Sequence, residues 1–106
     1  MPGVKWRTIA ATGRTIKILG VPWKINRKPL AAADGMCYQD RCRIVMERAI
    51  ESGRVDEVML HEVIHALLTH AGLAAELGPA AEERICERLS PLLVAVMRDN
   101  LVRWDY

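Results

Sequence analysis

One apolar segment near the middle of the chain restricts the possible folds more than any other feature of this sequence. It runs from Asp56 to Ala71, and its spacing predicts a helix with apolar residues on most of its faces. Asp56 is a suitable N-cap, and Gly72 follows where a glycine commonly ends a helix. A helix this apolar has to be covered on most sides, so the rest of the chain must pack around it.

The first half of the chain contains segments with the alternation typical of β-strands. Residues 15–21 alternate polar and apolar side chains and are followed by Pro22, which favours an edge strand that continues beyond a bulge. Residues 36–39 and 42–46 flank a tight turn at residues 40–41, and this arrangement predicts a hairpin.

The second half is predicted to be helical. Pro79 is favourable as the first residue of a second helix, whose positive end lies close to Glu82 and Glu83. Pro91 lies inside this pattern and predicts a kink or a break near Ser90. At 106 residues the chain has the length of one domain. The sequence therefore predicts a single α+β domain in which a small antiparallel sheet of about three strands, within residues 1–50, packs on two main helices, 55–72 and 79–100.

The central helix carries His61, Glu62 and His65 in the pattern H-E-x-x-H. Side chains four residues apart lie on one face of a helix, with Cβ atoms about 5–6 Å apart, so two imidazoles in this arrangement can bind one zinc ion. Glu62 is placed to reach a water on that metal and act as a general base. The alternative is a pair of histidines with purely structural partners. The apolar surroundings disfavour it, since unpaired polar groups are costly there.

A catalytic zinc site usually needs a third protein ligand. In the longer motif H-E-x-x-H-x-x-G-x-x-H this ligand is a third histidine, but here Leu68 and Ala71 stand at the glycine and final histidine positions. The remaining candidates are Glu82 and Glu83 on the second helix. Periodicity slightly favours Glu82, whereas Glu83 lies at the edge of the apolar face, three residues before Cys86.

The segment from Leu60 to Leu68, with the helix that begins near Glu82 and Glu83, resembles the compact zincin-like metallopeptidases of the ImmA/IrrE type, and especially short phage and prophage proteins of that kind. The resemblance covers roughly residues 15–100, but only the zinc motif is specific. It implies a zinc-dependent peptidase core made of a small sheet on two main helices.

The expected activity is hydrolysis of a peptide bond in a peptide or protein substrate, with Zn²⁺ held by His61, His65 and one glutamate. Tyr38 and His70 are candidates for contacts with the oxyanion or the substrate, and the strand over residues 42–46 is a candidate to pair with an extended substrate. The alternative is a zinc-stabilised interaction or regulatory module without catalysis.

The charge distribution allows a second kind of partner. All 13 acidic residues lie at or after Asp34, whereas seven of the 15 basic residues precede it. These seven are Lys5, Arg7, Arg14, Lys17, Lys24, Arg27 and Lys28. A basic region of this kind could contact nucleic acid, but a solvated sheet surface is the expected interpretation, because no reading helix or set of interleaved aromatics accompanies it.

The cysteines and the hydropathy favour a cytoplasmic protein. Three cysteines without a secretory signal are expected to be reduced thiols, and no apolar run is long enough to cross a membrane. We therefore expect no membrane partner, while the sequence leaves the oligomeric state open.

Overall fold

The structure, a computed structural model, describes residues 7–10 and 15–105, and the side chains of residues 15–102. Lys5 and Arg14 of the basic region lie outside the described residues. In chain order the elements are strands β1 (Arg7–Ala10), β2 (Thr15–Ile18), β3 (Val21–Lys28), β4 (Gly35–Tyr38) and β5 (Arg43–Glu47), helices α1 (Val55–His70), α2 (Leu73–Leu77) and α3 (Pro79–Asp99), and strand β6 (Val102–Asp105). The predicted α+β class, with a small sheet packed on helices, is confirmed.

The main sheet has four strands in the order β2-β3-β5-β4. It is mixed, since β3 pairs with β5 in parallel while the two outer pairs are antiparallel. The sheet therefore has one strand more than expected and one parallel pair. Strands β1 and β6 form a separate parallel pair.

The additional strand arises from a two-residue turn. Leu19 and Gly20 both have positive φ angles, 51° and 81°. Two such residues in succession make the turn whose twist suits a tight hairpin. The segment predicted as one strand over 15–21 is therefore folded back on itself, and β2 pairs with the first half of β3.

The predicted hairpin over residues 36–46 is confirmed, but the position of its return strand differs from the expectation. A short 3₁₀ turn at Gln39–Arg41 and a left-handed Cys42 join β4 to β5. Strand β5 lies between β3 and β4, so both of its edges are already paired. The proposal that residues 42–46 pair with a substrate is therefore wrong, and the edge that remains on this side of the sheet is β4.

The hydrophobic core lies between one face of the sheet and α1. Trp23, Ile44 and Met46 are completely buried on the sheet, and Met59 and Ala66 are completely buried on α1. Since β-strand side chains alternate between faces, the same face of β4 carries Gly35 and Cys37 toward the helices.

Helix α3 runs antiparallel to α1. The side chain of His65, late in α1, contacts Glu82 near the start of α3. The backbone carbonyl of Gly53, just before α1, accepts a hydrogen bond from Arg98 near the end of α3. Helix α3 continues through Pro91, so of the predicted kink or break near Ser90 the break is wrong. Proline has no backbone N–H, so one carbonyl of the preceding helical turn lacks its usual hydrogen bond. Because Pro91 is exposed, water can bond that carbonyl instead.

Helix α1 begins at Val55, so Asp56 lies in the first turn and is not the N-cap. Within the described residues, no helix combines the length and the apolar character that crossing a bilayer requires.

Candidate metal centre

Two histidines one turn apart on α1 form the centre of the candidate site. The ring centroids of His61 and His65 are 5.1 Å apart, and both side chains are about four-fifths buried. Both rings lie at the contact with α3, which supplies two carboxylates and a thiol. The helical spacing that the sequence predicted therefore brings the two imidazoles together as expected.

Glu83 lies between the two imidazoles. Its Oε1 is 2.9 Å from Nε2 of His61, and its Oε2 is 3.0 Å from Nε2 of His65. A single carboxylate therefore faces the same nitrogen of both rings. This is the arrangement in which three side chains can share one ion.

Glu82 contacts the opposite side of one ring. Its Oε2 is 2.5 Å from Nδ1 of His65. A carboxylate on the second ring nitrogen of a ligating histidine fixes the tautomer and leaves Nε2 free for a metal. The geometry thus separates the two residues that the sequence left as alternatives. Glu83 contacts Nε2 of His65, whereas Glu82 contacts Nδ1 of the same ring.

The surrounding carboxylates affect the charge of His65. Burial opposes its protonation, but hydrogen bonding to Glu82 and the charges of Glu62 and Glu83 outweigh burial, so the pKa of His65 lies above its ordinary value. Each ring nitrogen faces a carboxylate oxygen, which favours a proton on that nitrogen. A bound cation would replace that proton.

Cys86 adds a sulfur to the site. Its side chain is completely buried, and its Sγ lies within 4.8 Å of a ring nitrogen of each histidine, so His61, His65 and Cys86 form a group that could hold a metal ion. Burial, with added effect from Glu83 and Glu82, raises the pKa of this thiol to about 12, so it is protonated when no cation is nearby. The sequence signal for Cys86 is its position three residues after Glu83, on the same face of α3.

This donor set fits zinc. Imidazole nitrogen, carboxylate oxygen and thiolate sulfur are its usual protein ligands. The same donors also accept other divalent transition ions, so the residues establish a possible metal site without selecting the metal.

Glu62 is buried beside the two histidines. Its side chain is 6 % exposed, and it forms no hydrogen bond or ion pair with another described residue. Burial raises its pKa to about 7, although the charge of His65 acts in the opposite direction. A carboxyl group that titrates near neutrality can accept and release a proton at physiological pH.

Strand β4 approaches Glu62 closely at Gly35. A Cβ atom added to Gly35 would lie 2.9 Å from Oε2 of Glu62 and 3.0 Å from Cγ1 of Val58. The absence of a side chain at this position therefore allows the sheet to pack directly against the carboxylate.

A cleft of about 390 Å³ opens next to the histidines, between α1, α3 and the segment that leads into β4. Arg54 and Asp34 close one side of the cleft with an ion pair of 2.8 Å. The lining residues are Ala33, Asp34, Gly35, Arg54, Glu57, Val58, His61, Glu62, Glu83, Glu87 and Ser90.

Two predicted site residues do not reach this cleft. Tyr38 follows Cys37 on β4 and therefore projects from the other face of the sheet, where its hydroxyl contacts Sδ of Met36 and Arg41 lies over its ring. His70 is exposed in the last turn of α1 and does not line the cleft.

No protein-family model, curated protein or solved structure matches this chain. The functional assignment therefore depends on the geometry of the site and on the motif.

Proposed function

We propose that this protein is a zinc-dependent metallopeptidase in which His61, His65 and Glu83 hold the metal and Glu62 acts as general base. The observation that carries this proposal is the position of the Glu83 carboxylate, within 3.0 Å of Nε2 of both histidines. The H-E-x-x-H motif supports a relation to compact zincin-like peptidases of the ImmA/IrrE type. With Glu83 as the ligand, Glu82 serves to orient His65.

Bound zinc would supply a Lewis acid that polarises the scissile carbonyl and lowers the pKa of a water ligand. The protein residues perform the remaining tasks. Glu62 takes a proton from the attacking water and passes it to the departing amine. Its buried position raises its pKa to about 7, and Gly35 leaves room for its carboxylate. Glu82 holds the ring of His65 with Nε2 facing Glu83, where the two side chains and His61 would hold the metal.

Two measurements test this assignment. We expect purified protein to contain one zinc per chain and His65→Ala to contain none, whereas His70→Ala, on the same helix but exposed, keeps its zinc. We expect Glu62→Gln to keep zinc but lose hydrolysis of an unstructured protein such as casein. Hydrolysis retained by zinc-loaded Glu62→Gln would exclude Glu62 as the base.

Cys86 favours one competing function. A fourth protein donor near the metal is typical of a structural zinc site, which leaves no position for water. The competing proposal is therefore a zinc-stabilised interaction module. Cobalt substitution separates the two functions, since sulfur coordination gives an intense near-ultraviolet absorption that Cys86→Ser would remove. Absence of this absorption in the cobalt-substituted wild-type protein favours the peptidase.

A further inference from the structure

The outer face of the main sheet, which is turned away from the helices, is basic. Trp23, Ile25 and Ile44 are buried in the core, so the residues between them on β3 and β5 project from the opposite face. The basic residues on this outer face are Lys17, Lys24, Lys28 and Arg43. The three lysines are exposed, and within the described residues none of the four basic side chains forms an ion pair.

Acidic side chains offset little of this charge. Glu47 is the one acidic residue in strands β2 to β5. Its carboxylate oxygens are already occupied, since they accept hydrogen bonds from the backbone N–H groups of Leu30 and Ala49, each at 2.9 Å. The turn between β4 and β5 adds Asp40 and Arg41, whose charges cancel. The outer face is therefore a cationic surface that suits an anionic partner.

An aromatic ring lies on the same face. Arg43 is aligned with Lys24 on one side and with Tyr38 on the other. Because neighbouring strands are about 4.8 Å apart, these three side chains lie within about 10 Å of one another. The guanidinium of Arg41 is 5.9 Å from the centroid of the Tyr38 ring. Aromatic rings and guanidinium planes are the groups on which the bases of single-stranded nucleic acids stack.

This juxtaposition supplies the aromatic residue that the basic segment lacks in sequence. Tyr38 is ten residues beyond Lys28, and only the pairing of β5 between β3 and β4 brings it beside Lys24 and Arg43. Basic and aromatic side chains on one face of a sheet are a recurrent platform for single-stranded nucleic acid.

A second observation concerns the hydrogen-bonding groups of the same face. Nε of Arg43 and Oδ1 of Asn26 are buried atoms without a hydrogen-bond partner among the described residues. Asn26 is aligned with Val45, two residues along β5 from Arg43. Both side chains are partly exposed, so a rotation at the surface brings a donor and an amide group to a ligand. Unsatisfied groups of this kind are costly unless a ligand or water completes them.

These features distinguish between anionic partners. A membrane surface would use the positive charges but neither the ring nor the amide. An acidic peptide offers carboxylate acceptors but no bases to stack. A nucleic acid supplies phosphates for the lysines, a π-face for Tyr38, and base edges that both donate and accept hydrogen bonds for Arg43 and Asn26.

We infer that the outer face of the main sheet binds single-stranded nucleic acid. Lys17 is aligned with Pro22, so the line from Lys17 to Lys28 covers six residues of β3, about 20 Å at 3.3 Å per residue. That length accommodates several nucleotides, with phosphates along the lysines and a base on Tyr38. The candidate metal centre lies on the helical side of the sheet, so this binding surface goes beyond the proposed peptidase function and does not depend on it.

Binding is measured by fluorescence anisotropy on the purified wild-type protein. The probes are labelled 12-nucleotide oligo-dT and oligo-U and a DNA duplex of the same length. We expect saturable binding of the single strands, and binding of the duplex at least tenfold weaker because its bases are not free to stack. The logarithm of the association constant should fall with the logarithm of the salt concentration with a slope of roughly −2, from about three phosphates at 0.7 each.

Substitutions separate stacking from charge. Tyr38→Ala should weaken binding by about fivefold or more while the salt slope stays unchanged, and Tyr38→Phe should bind like the wild type, since stacking needs the ring alone. Lys24→Gln should weaken binding and also reduce the salt slope by about 0.7. Arg88→Gln, an exposed basic residue on α3, is the matched control and should bind like the wild type.

Circular dichroism shows that each variant is folded before its affinity is compared. The inference is overturned by the absence of saturable binding to the wild-type protein, by equal binding of duplex and single strands, or by a Tyr38→Ala protein with wild-type affinity. Binding to vesicles that contain phosphatidylserine, without binding to the oligonucleotides, would assign the basic face to a membrane surface and would overturn it as well.

Discussion

Gly35 fixes the distance between strand β4 and the proposed general base. In Gly35→Ala, the new Cβ would approach Oε2 of Glu62 to 2.9 Å, and the buried carboxylate has to move. We expect a loss of activity of tenfold or more with unchanged zinc content, because displacement of a catalytic group by about 1 Å can cost a factor of 100. The added methyl group also crowds this packed position, and it should lower the free energy of unfolding by about 1–3 kcal/mol.

The matched control for this prediction is Gly53→Ala, since an added Cβ at Gly53 meets nothing within 4 Å. Peptidase assays, zinc analysis and urea unfolding of the two variants separate displacement of Glu62 from general destabilisation. A Gly35→Ala protein with full activity would show that the position of Glu62 is not critical.

Glu82 and Glu83 are adjacent in sequence, but we expect their substitutions to differ in effect. Glu82→Gln should weaken zinc binding by 10–100-fold, as is usual for the loss of a carboxylate that orients a ligating histidine. Glu83→Gln should weaken it further, since a direct ligand is lost. Competition against a chromophoric chelator measures both affinities, with Glu76→Gln as control. A stronger effect at Glu82 would reverse the two roles.

At the residue scale, the sequence predicted the two histidines on α1 and two candidate glutamates on α3, but not which glutamate contacts which ring nitrogen. The spacing of His61 and His65 determines that their rings lie together, whatever the rest of the fold. The choice between Glu82 and Glu83 depends on the rotation of α3 about its axis and on which ring nitrogen each carboxylate meets. Both are set by packing between helices, which local spacing does not specify.

At the element scale, the strength of the local signals explains which predictions succeeded. Helix α1 is a long apolar segment that ends just before a glycine, and the β4–β5 hairpin has clear turn residues, and both are confirmed. The hairpin at Leu19 and Gly20 was missed because leucine rarely adopts a positive φ. The insertion of β5 beside β3 depends on pairing between distant segments, which alternation within a strand does not encode.

Glu47, at the end of β5, gives a prediction for stability at acidic pH. Its two carboxylate oxygens accept hydrogen bonds from the backbone N–H groups of Leu30 and Ala49, each at 2.9 Å. The bond from Ala49 contributes most and that from Leu30 next, and together they lower the pKa of Glu47 below its ordinary value of 4.5. A lowered folded-state pKa adds stability above pH 4.5, and this stability is lost as the pH falls through the folded-state value.

We therefore expect Glu47→Gln to be less stable than the wild type at pH 7 and to approach it in stability at pH 3. Urea unfolding at several pH values measures the difference, and Glu51→Gln, an exposed residue with no such backbone bonds, is the control. A difference between Glu47→Gln and the wild type that does not change with pH would exclude this role of the carboxylate.

At the scale of the whole molecule, α3 is held differently from the other elements. The core cluster of buried side chains is formed by the sheet and α1, and no described residue of α3 belongs to it. Helix α3 buries only Cys86, Ser90 and Val94, while four of its large apolar side chains are exposed. The polar contacts with His61 and His65 lie at its first turns, so a metal would join α3 to the remainder of the fold.

Removal of zinc should consequently loosen α3 before it affects the sheet. At a free zinc concentration 100 times the dissociation constant, binding stabilises the folded protein by about 2.7 kcal/mol. For a domain of this size this corresponds to a rise of about 10 °C or more in Tm. Chelation should lower the Tm by this amount and should have no effect on His65→Ala, which starts without zinc.

Hydrogen exchange distinguishes local from global loosening, because amide protection reports the opening of each segment separately. We expect chelation to reduce protection in residues 79–99, while the core strands and the middle of α1 keep theirs. The reason is that the apolar core between the sheet and α1 contains no described residue of α3, whereas the candidate metal ligands lie where α3 meets α1. Equal loss of protection in the sheet and in α3 would show instead that the metal supports the whole fold as one cooperative unit.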